Sequence, residues 1–275
     1  MCRWMAWSGQ PLIIEELLFA PPHGLVDQSL HSRMGVETTN GDGFGLGWYG
    51  AGDGPAVYRS VAPAWGDENL RELAAHVESP LFIAHVRATT GTAIQQTNCH
   101  PFRHGRWLFV HNGVIAGFPE LRRDLMLAVD PSLFAAIQGS TDSEVLFHLA
   151  LSFGLDEDPI RAVERAIGFV EETAERHGVE APVQASLGLS DGTRLWAFRY
   201  SSEGKSRTLF SSCDAASVRR LHPENERLQR LRDEDRLVVS EPLSDLPGIW
   251  ERIPEATVLV VQPGDDEQHP FRPSR

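Results

Sequence analysis

Adjoining strand signals at both ends of the chain, with most of the helical periodicity between them, constrain this fold more than any other sequence feature. Near the N-terminus, residues 41–50 alternate Phe44, Leu46 and Trp48 with glycine. Residues 56–60 are placed to pair with them across Gly52-Asp53-Gly54. Towards the other end, residues 183–189 and 194–199 flank Asp191-Gly192, a dipeptide that favours a tight hairpin. Residues 3–7, 81–86, 107–110, 208–211, 237–240 and 257–261 supply further apolar runs of strand length. Helical spacing starts after Asp67, an expected N-cap, where Leu70, Leu73, Ala74 and Val77 share one face until Pro80. It continues in residues 119–129, in 145–151 behind the capping box of Thr141 and Glu144, and from Asp158-Pro159 to Gly178. Strands joined by short turns need no crossover helices, so the expected class is α+β, with antiparallel sheets covered by helices in place of alternating βαβ units.

The chain has 275 residues, ample for a large core, and it shows no internal repeat or linker. Residues 1–262 are therefore expected to form a single domain, and residues 263–275, polar and without periodicity, a loose C-terminal tail. Apolar runs such as 256–261 are too short to span a bilayer, and Ser8, Gly9, Gln10 and Pro11 interrupt any secretory signal. A formal net charge of -13 repels polyanions and argues against nucleic acid as a partner. Arginines 219, 220, 227, 230 and 232 form the only basic cluster, and interleaved acidic residues make it a solvated mixed-charge face. Cys2, Cys99 and Cys213 are too few and too irregularly spaced for a disulfide framework, which points to a reducing, cytoplasmic setting.

Cys2 directly follows the initiator methionine. Removal of Met1 would leave a thiol and a free α-amine on one residue, and the amine, with a pKa of about 7.7 to 8.0 against about 8.5 for the thiol, can take the thiol proton. Taken alone, a cysteine here reads as a small buried hydrophobe. Four segments bear on the choice.

Arg87, Thr89, Thr90 and Gly91 emerge together at a strand end, a planar cationic fork with hydroxyls suited to a carboxylate. His111-Asn112-Gly113 ends another apolar strand, where the Asn112 amide and the Gly113 N–H could form an oxyanion hole. Asn98-Cys99-His100-Pro101 offers a Cys-His pair, but nothing beside it has zinc spacing and no third group orients Cys99 as a nucleophile. His100 is better placed to shape a pocket wall or brace the arginine loop. Asp142, in the first turn of a capped helix, is favoured there by the helix dipole for structural reasons, although a carboxylate at a helix start that faces a pocket could also hold an α-ammonium group. No metal or other cofactor is expected.

Together, Met1-Cys2, Asp42-Gly43-Phe44-Gly45, His85-x-Arg87-x-Thr89-Thr90, Asn98-x-His100-Pro101, His111-Asn112-Gly113 and Thr141-Asp142-Ser143-Glu144 resemble the class II glutamine amidotransferase family in order and approximate separation. The resemblance implies a four-layer αββα sandwich, the N-terminal nucleophile hydrolase fold. It also implies Cys2 as nucleophile with its own amine as base, Asn112 and Gly113 as oxyanion donors, Arg87 for the substrate α-carboxylate and Asp142 for its α-ammonium, with Thr90 and His100 supporting the pocket. The opening Met1-Cys2-Arg3-Trp4, residues 62–67, and Ser240-Glu241-Pro242-Leu243 followed by Trp250 look like the stand-alone branch of that family, which includes the γ-glutamyl hydrolase of ergothioneine biosynthesis. The expected reaction is hydrolysis of the γ-amide of glutamine or of a γ-glutamyl conjugate through a γ-glutamyl thioester. Glutamine as substrate would call for an ammonia-accepting synthase partner; a γ-glutamyl-cysteine conjugate would not. A catalytically silent γ-glutamyl or amino-acid binding protein is the alternative of another class.

Overall fold

A computed structural model describes residues 2–34, 38–89 and 91–274. Its strands are β1 (Arg3–Ile13), β2 (Phe44–Trp48), β3 (Ala56–Ser60), β4 (Glu78–Val86), β5 (Phe102–His104), β6 (Trp107–Ile115), β7 (Val183–Ser190), β8 (Leu195–Ser201), β9 (Phe210–Ser212), β10 (Arg236–Val239), β11 (Trp250–Arg252), β12 (Thr257–Val261) and β13 (Glu267–Pro270). The helices are α1 (Glu15–Leu18), α2 (Leu25–His31), α3 (Glu68–His76), α4 (Phe118–Leu127), α5 (Pro131–Phe134), α6 (Asp142–Ser152), α7 (Pro159–Arg176), α8 (Ala215–Leu221) and α9 (Glu226–Gln229).

The strands make a seven-stranded sheet, ordered β11-β9-β10-β1-β4-β2-β3, and a six-stranded sheet, ordered β13-β12-β8-β7-β6-β5. Every pairing is antiparallel. Three apolar layers show how the sheets stack. Met5, Trp7, Phe44, Leu46, Phe82 and Ala84 pack under Leu18, Leu25, Leu70 and Ala74 of α1, α2 and α3. Phe109, Leu187, Phe198 and Val258 pack under Leu121, Leu146, Val163 and Ile167 of α4, α6 and α7. Between the sheets lie Trp4, Ala6, Ile83, Leu108, Val110, Ala197 and Leu259. The result is the αββα sandwich, and the period of two along each strand decides which layer a side chain enters.

Local chemistry accounts for the helix boundaries. Asp67 caps α3 by accepting from the Leu70 N–H at 2.8 Å, and Asp158 caps α7 through the Arg161 N–H at 3.0 Å. α3 ends at His76, ahead of Pro80, which instead lies within β4 beside the register shift between Ser8 and Leu12 of β1. A proline has no N–H to give a ladder, so it belongs at such an irregularity. The C-terminal residues depart from the expected loose tail. β13 pairs with β12, and Phe271, 2% exposed, sits edge-on against Phe198 and Tyr200. Beyond it, the Arg272 N–H donates to Glu164 at 2.8 Å. Backbone pairing and one buried ring hold a segment whose polar composition hides it.

Candidate functional site

Arg3 pairs with Val86 across the β1–β4 ladder, so the residue before the one and the residue after the other, Cys2 and Arg87, face each other at the same sheet end. Alternation sends both side chains the way of Trp4 and Ile83, into the space between the sheets. From the opposite sheet, Asn112 follows Leu108 and Val110 into that space. The Trp4 indole N–H donates to Ser186 Oγ at 3.1 Å, and Ser186 is the residue directly across from Asn112. The candidate cleft is therefore the end of the inter-sheet layer where Cys2, Arg87 and Asn112 converge.

Cys2 is half-buried, its Sγ 3.6 Å from the Ala88 carbonyl. Burial pushes its thiol up; the Ala88 backbone and the positive charges of Arg87 and Arg207 offset this only in part. A thiol so placed needs a base to become a nucleophile. Arg207, in the connection between β8 and β9, was not singled out by the sequence, because no pattern ties it to the Cys2 end.

Arg87 is 3% exposed, and its guanidinium is fixed by the loop that follows it. Nη2 donates to Thr92 Oγ1 at 2.6 Å, to the Ala93 carbonyl at 3.2 Å and to Thr89 Oγ1 at 3.3 Å. Asp42, in the segment leading into β2, locks the same loop, its carboxylate accepting from the Thr89 N–H at 2.8 Å. Thr90 lies outside the described residues.

The Asn112 side chain has no hydrogen-bond partner within the described residues, although the residue is only 3% exposed. At Gly113 a Cβ would collide with the Gln184 carbonyl oxygen and His111 Nε2, so no other residue fits. The Ala116 N–H donates to Pro182 on the β7 side, whereas the Ile115 N–H points away and donates to Asp142 Oδ2 at 2.8 Å. Alternation then turns the Gly113 N–H to the same free edge as that of Ile115. β5 covers that edge only as far as Phe109.

Asp142 thus ties the start of α6 to the end of β6, and it also accepts from the Ser143 N–H at 2.7 Å. Thr141 caps the helix through the Glu144 N–H at 3.2 Å, but the Glu144 carboxylate turns back to the Gln138 and Gly139 N–H groups at 2.9 and 2.6 Å. His111 stands behind β6 with Nε2 3.1 Å from the Gln184 carbonyl and Nδ1 2.8 Å from Ser143 Oγ. A carbonyl can only accept, so Nε2 carries the proton and Nδ1 accepts from Ser143. Burial keeps this imidazole neutral, against the pull of Asp142.

Asn98 joins the two halves of the site. Its Nδ2 donates to the Ala93 carbonyl at 2.9 Å and to Ser140 Oγ at 3.1 Å, and its Oδ1 accepts from the Ser140 N–H at 2.8 Å. The arginine loop and the residues leading to Asp142 are thereby one unit. His100 lies behind this unit, 3% exposed, with its ring 4.2 Å from that of His85 and 4.5 Å from Phe102. Its ring nitrogens have no hydrogen-bond partner among the described residues. Cys99 is fully buried, its Sγ 3.4 Å from the Ser60 carbonyl, with burial raising its thiol pKa. Cys213, just after β9, lines a different hollow, which leaves Cys2 as the thiol in the cleft. A separate apolar hollow of about 400 Å³, lined by Trp7, Leu12, Leu237 and Trp250 among others, opens on the outer face of the seven-stranded sheet and shares no residue with the cleft.

Two face-to-face antiparallel sheets between helical layers have the architecture of the N-terminal nucleophile hydrolase fold. The chain belongs to the class II glutamine amidotransferase family, whose sequence profile, "Glutamine amidotransferases class-II", matches residues 25–272. It is 34% identical over 302 aligned positions to a probable glutamine amidotransferase of Saccharomyces cerevisiae, DUG3, covering 98% of this chain and 84% of that one. With the gamma-glutamyl-hercynylcysteine sulfoxide hydrolase of Mycolicibacterium smegmatis it shares 29% identity, over 95% of this chain and 96% of the relative. Among solved structures, a glutamine aminotransferase class-II domain protein from Silicibacter pomeroyi superposes with a TM-score of 0.76 at 33% identity, each chain covered completely. The glutamine phosphoribosylpyrophosphate amidotransferase of B. subtilis superposes with a TM-score of 0.63 at 15% identity over half of its length, a likeness of fold alone. No helix among the described residues is long and apolar enough to cross a membrane.

Proposed function

We propose that this chain hydrolyses the γ-amide of a small γ-glutamyl substrate, glutamine or a γ-glutamyl conjugate, through a thioester on Cys2. The observation that carries the reading is the opposition of Cys2 and Arg87 across the β1–β4 ladder, with the unpartnered Asn112 amide facing them from the other sheet. Once Met1 is removed, the Cys2 α-amine takes the thiol proton and the thiolate attacks the γ-carbonyl carbon. Asn112 Nδ2 and the Gly113 N–H receive the oxyanion. The protonated amine returns its proton to the leaving nitrogen as the C–N bond breaks, and water, deprotonated by the same amine, opens the thioester to release glutamate. Arg87 receives the α-carboxylate and Asp142 the α-ammonium; both groups sit on the α-carbon, so together they fix that end of the glutamyl group and present the γ-carbonyl at its other end to Cys2 as a near-attack conformer. No cofactor takes part, and the setting is the cytoplasm.

Within this reading, the full-length similarity to a γ-glutamyl conjugate hydrolase favours a conjugate whose leaving group is larger than ammonia. Glutamine hydrolysis, the other version, requires a synthase partner to use the ammonia. Steady-state assays of the purified protein with glutamine and with γ-glutamyl-cysteine derivatives separate them. Glutamate release from the derivatives well above that from glutamine is the expected result; preference for glutamine selects the ammonia-donor version. Release from neither substrate, with tight binding of both, identifies a silent binding protein.

A further inference from the structure

Behind the start of β1 lies a polar cluster that the amide chemistry does not use. Arg3, His23 and Glu241 are exposed by 2%, 2% and 1%. Ionisable groups buried so deeply persist only when paired. The Glu241 carboxylate accepts from His23 Nε2 at 2.5 Å, Arg3 Nε at 2.7 Å, the Arg33 N–H at 2.8 Å and the Met34 N–H at 3.1 Å. Burial acts to raise its pKa, but the His23 and Arg3 hydrogen bonds hold it below the usual range. The second nitrogen of His23 is 2.8 Å from Asp27, which lies on the outer part of α2. From this anchored position Arg3 Nη1 donates to the Cys2 carbonyl at 2.9 Å.

Alternation sends Arg3 to the helix-covered face of the sheet, with Met5 and Trp7, and Cys2 to the cleft face. The guanidinium therefore acts on Cys2 through its backbone. A chain-terminal residue has no preceding peptide to orient it, and ordering its backbone costs conformational entropy. Resting on the reading of Cys2 as nucleophile, we propose that Arg3, clamped by Glu241 and His23, is a positioning residue that fixes the Cys2 peptide group and so aims its thiol and amine at the oxyanion donors. The clamp matters for attack on a bound carbonyl and not for the intrinsic reactivity of the thiol.

The test compares Arg3→Lys and Arg3→Met with Cys2→Ala, at a temperature where near-ultraviolet circular dichroism shows each variant folded. An ammonium keeps a charge for Glu241 but cannot reproduce the two-pronged contact with Glu241 and the Cys2 carbonyl. Arg3→Lys is expected to lower kcat by about tenfold or more, since small misplacements of reacting groups have effects of that order. KM, and the rate of Cys2 alkylation by iodoacetamide, which needs no oxyanion hole, should stay within about twofold. Arg3→Met, where folded, should lose at least as much. A folded Arg3→Lys enzyme with wild-type kcat overturns the proposal, as does a parallel fall of kcat, substrate affinity and alkylation rate, the pattern of general damage. Surviving turnover in Cys2→Ala overturns the nucleophile assignment and the clamp with it; an inactive Cys2→Ala beside a fully active Arg3→Lys overturns the clamp alone.

Discussion

Arg87 and Asn98 donate to the same acceptor, the Ala93 carbonyl, at 3.2 and 2.9 Å. Asn98 carries this link on to Ser140, two residues before Asp142, so the cation and the carboxylate assigned to the two charged groups on the substrate α-carbon are positioned by one buried amide. Asn98→Ala removes both links. It is expected to raise KM for a γ-glutamyl substrate by about tenfold, the effect of losing roughly 1.4 kcal/mol of binding geometry, with a smaller change in kcat. Steady-state kinetics check this, and an unaltered KM would show that the two anchors are set independently.

Arg87→Lys preserves charge but not the planar fork, and a lone ammonium cannot span a carboxylate and the Thr92 and Ala93 acceptors at once. KM should rise sharply for substrates with a free α-carboxylate and little for analogues whose α-carboxylate is amidated. Equal effects on both would assign Arg87 to the loop and not to substrate.

The oxyanion assignment separates cleanly from binding. Asn112→Ala deletes an amide that has no other partner among the described residues, so the fold should be spared while kcat falls by about 10²–10³. Gly113→Ala must displace Gln184 or His111 and should be destabilised as well as inactive. A melting temperature for Gly113→Ala equal to that of the wild type would contradict the close approach of the Gln184 carbonyl of β7 and the His111 ring to Gly113.

Much of this arrangement is legible in the sequence where a residue's role is local. The caps at Asp67, Thr141 and Asp158, the β2–β3 pair and the β7–β8 hairpin follow from neighbours a few positions apart. β5, β11 and β13 do not, because strands of three or four residues at sheet edges carry no alternation to read. In the polar stretch between β9 and β10, α8 and α9 depend on the caps of Asp214 and Asn225 and have short apolar faces. The site motifs are visible as local clusters, whereas the contacts that join them are not. Arg3 meets Glu241 across 238 positions and Asn98 meets Ser140 across 42, and no spacing rule connects such residues.

The adjoining His85 and His100 rings, 4.2 Å apart, make a prediction about pH. Burial, with nearby Arg87 and His111, pushes His85 down to about 3, and burial holds His100 well below its ordinary value. In the unfolded chain both take up a proton near pH 6.5, so between about 6.5 and their folded values the unfolded state binds more protons and stability falls as pH falls. Each contributes a slope of up to about 1.4 kcal/mol per pH unit. His100→Phe keeps a ring against Phe102 and removes one such proton. Urea unfolding between about pH 7 and pH 5, above the range where carboxylates titrate, should show a slope shallower by about that amount. An unchanged slope would mean that His100 is already protonated in the folded protein.

The account depends most on the chemical state of Cys2, and intact-mass analysis after treatment with a diazoketone analogue of glutamine tests it directly. The predicted result is a chain lacking Met1 and carrying one adduct, mapped by peptide sequencing to the thiol of Cys2, with no adduct in Cys2→Ala. A chain that retains Met1 yet turns over substrate, or an adduct that maps to Cys99 or Cys213, would contradict it.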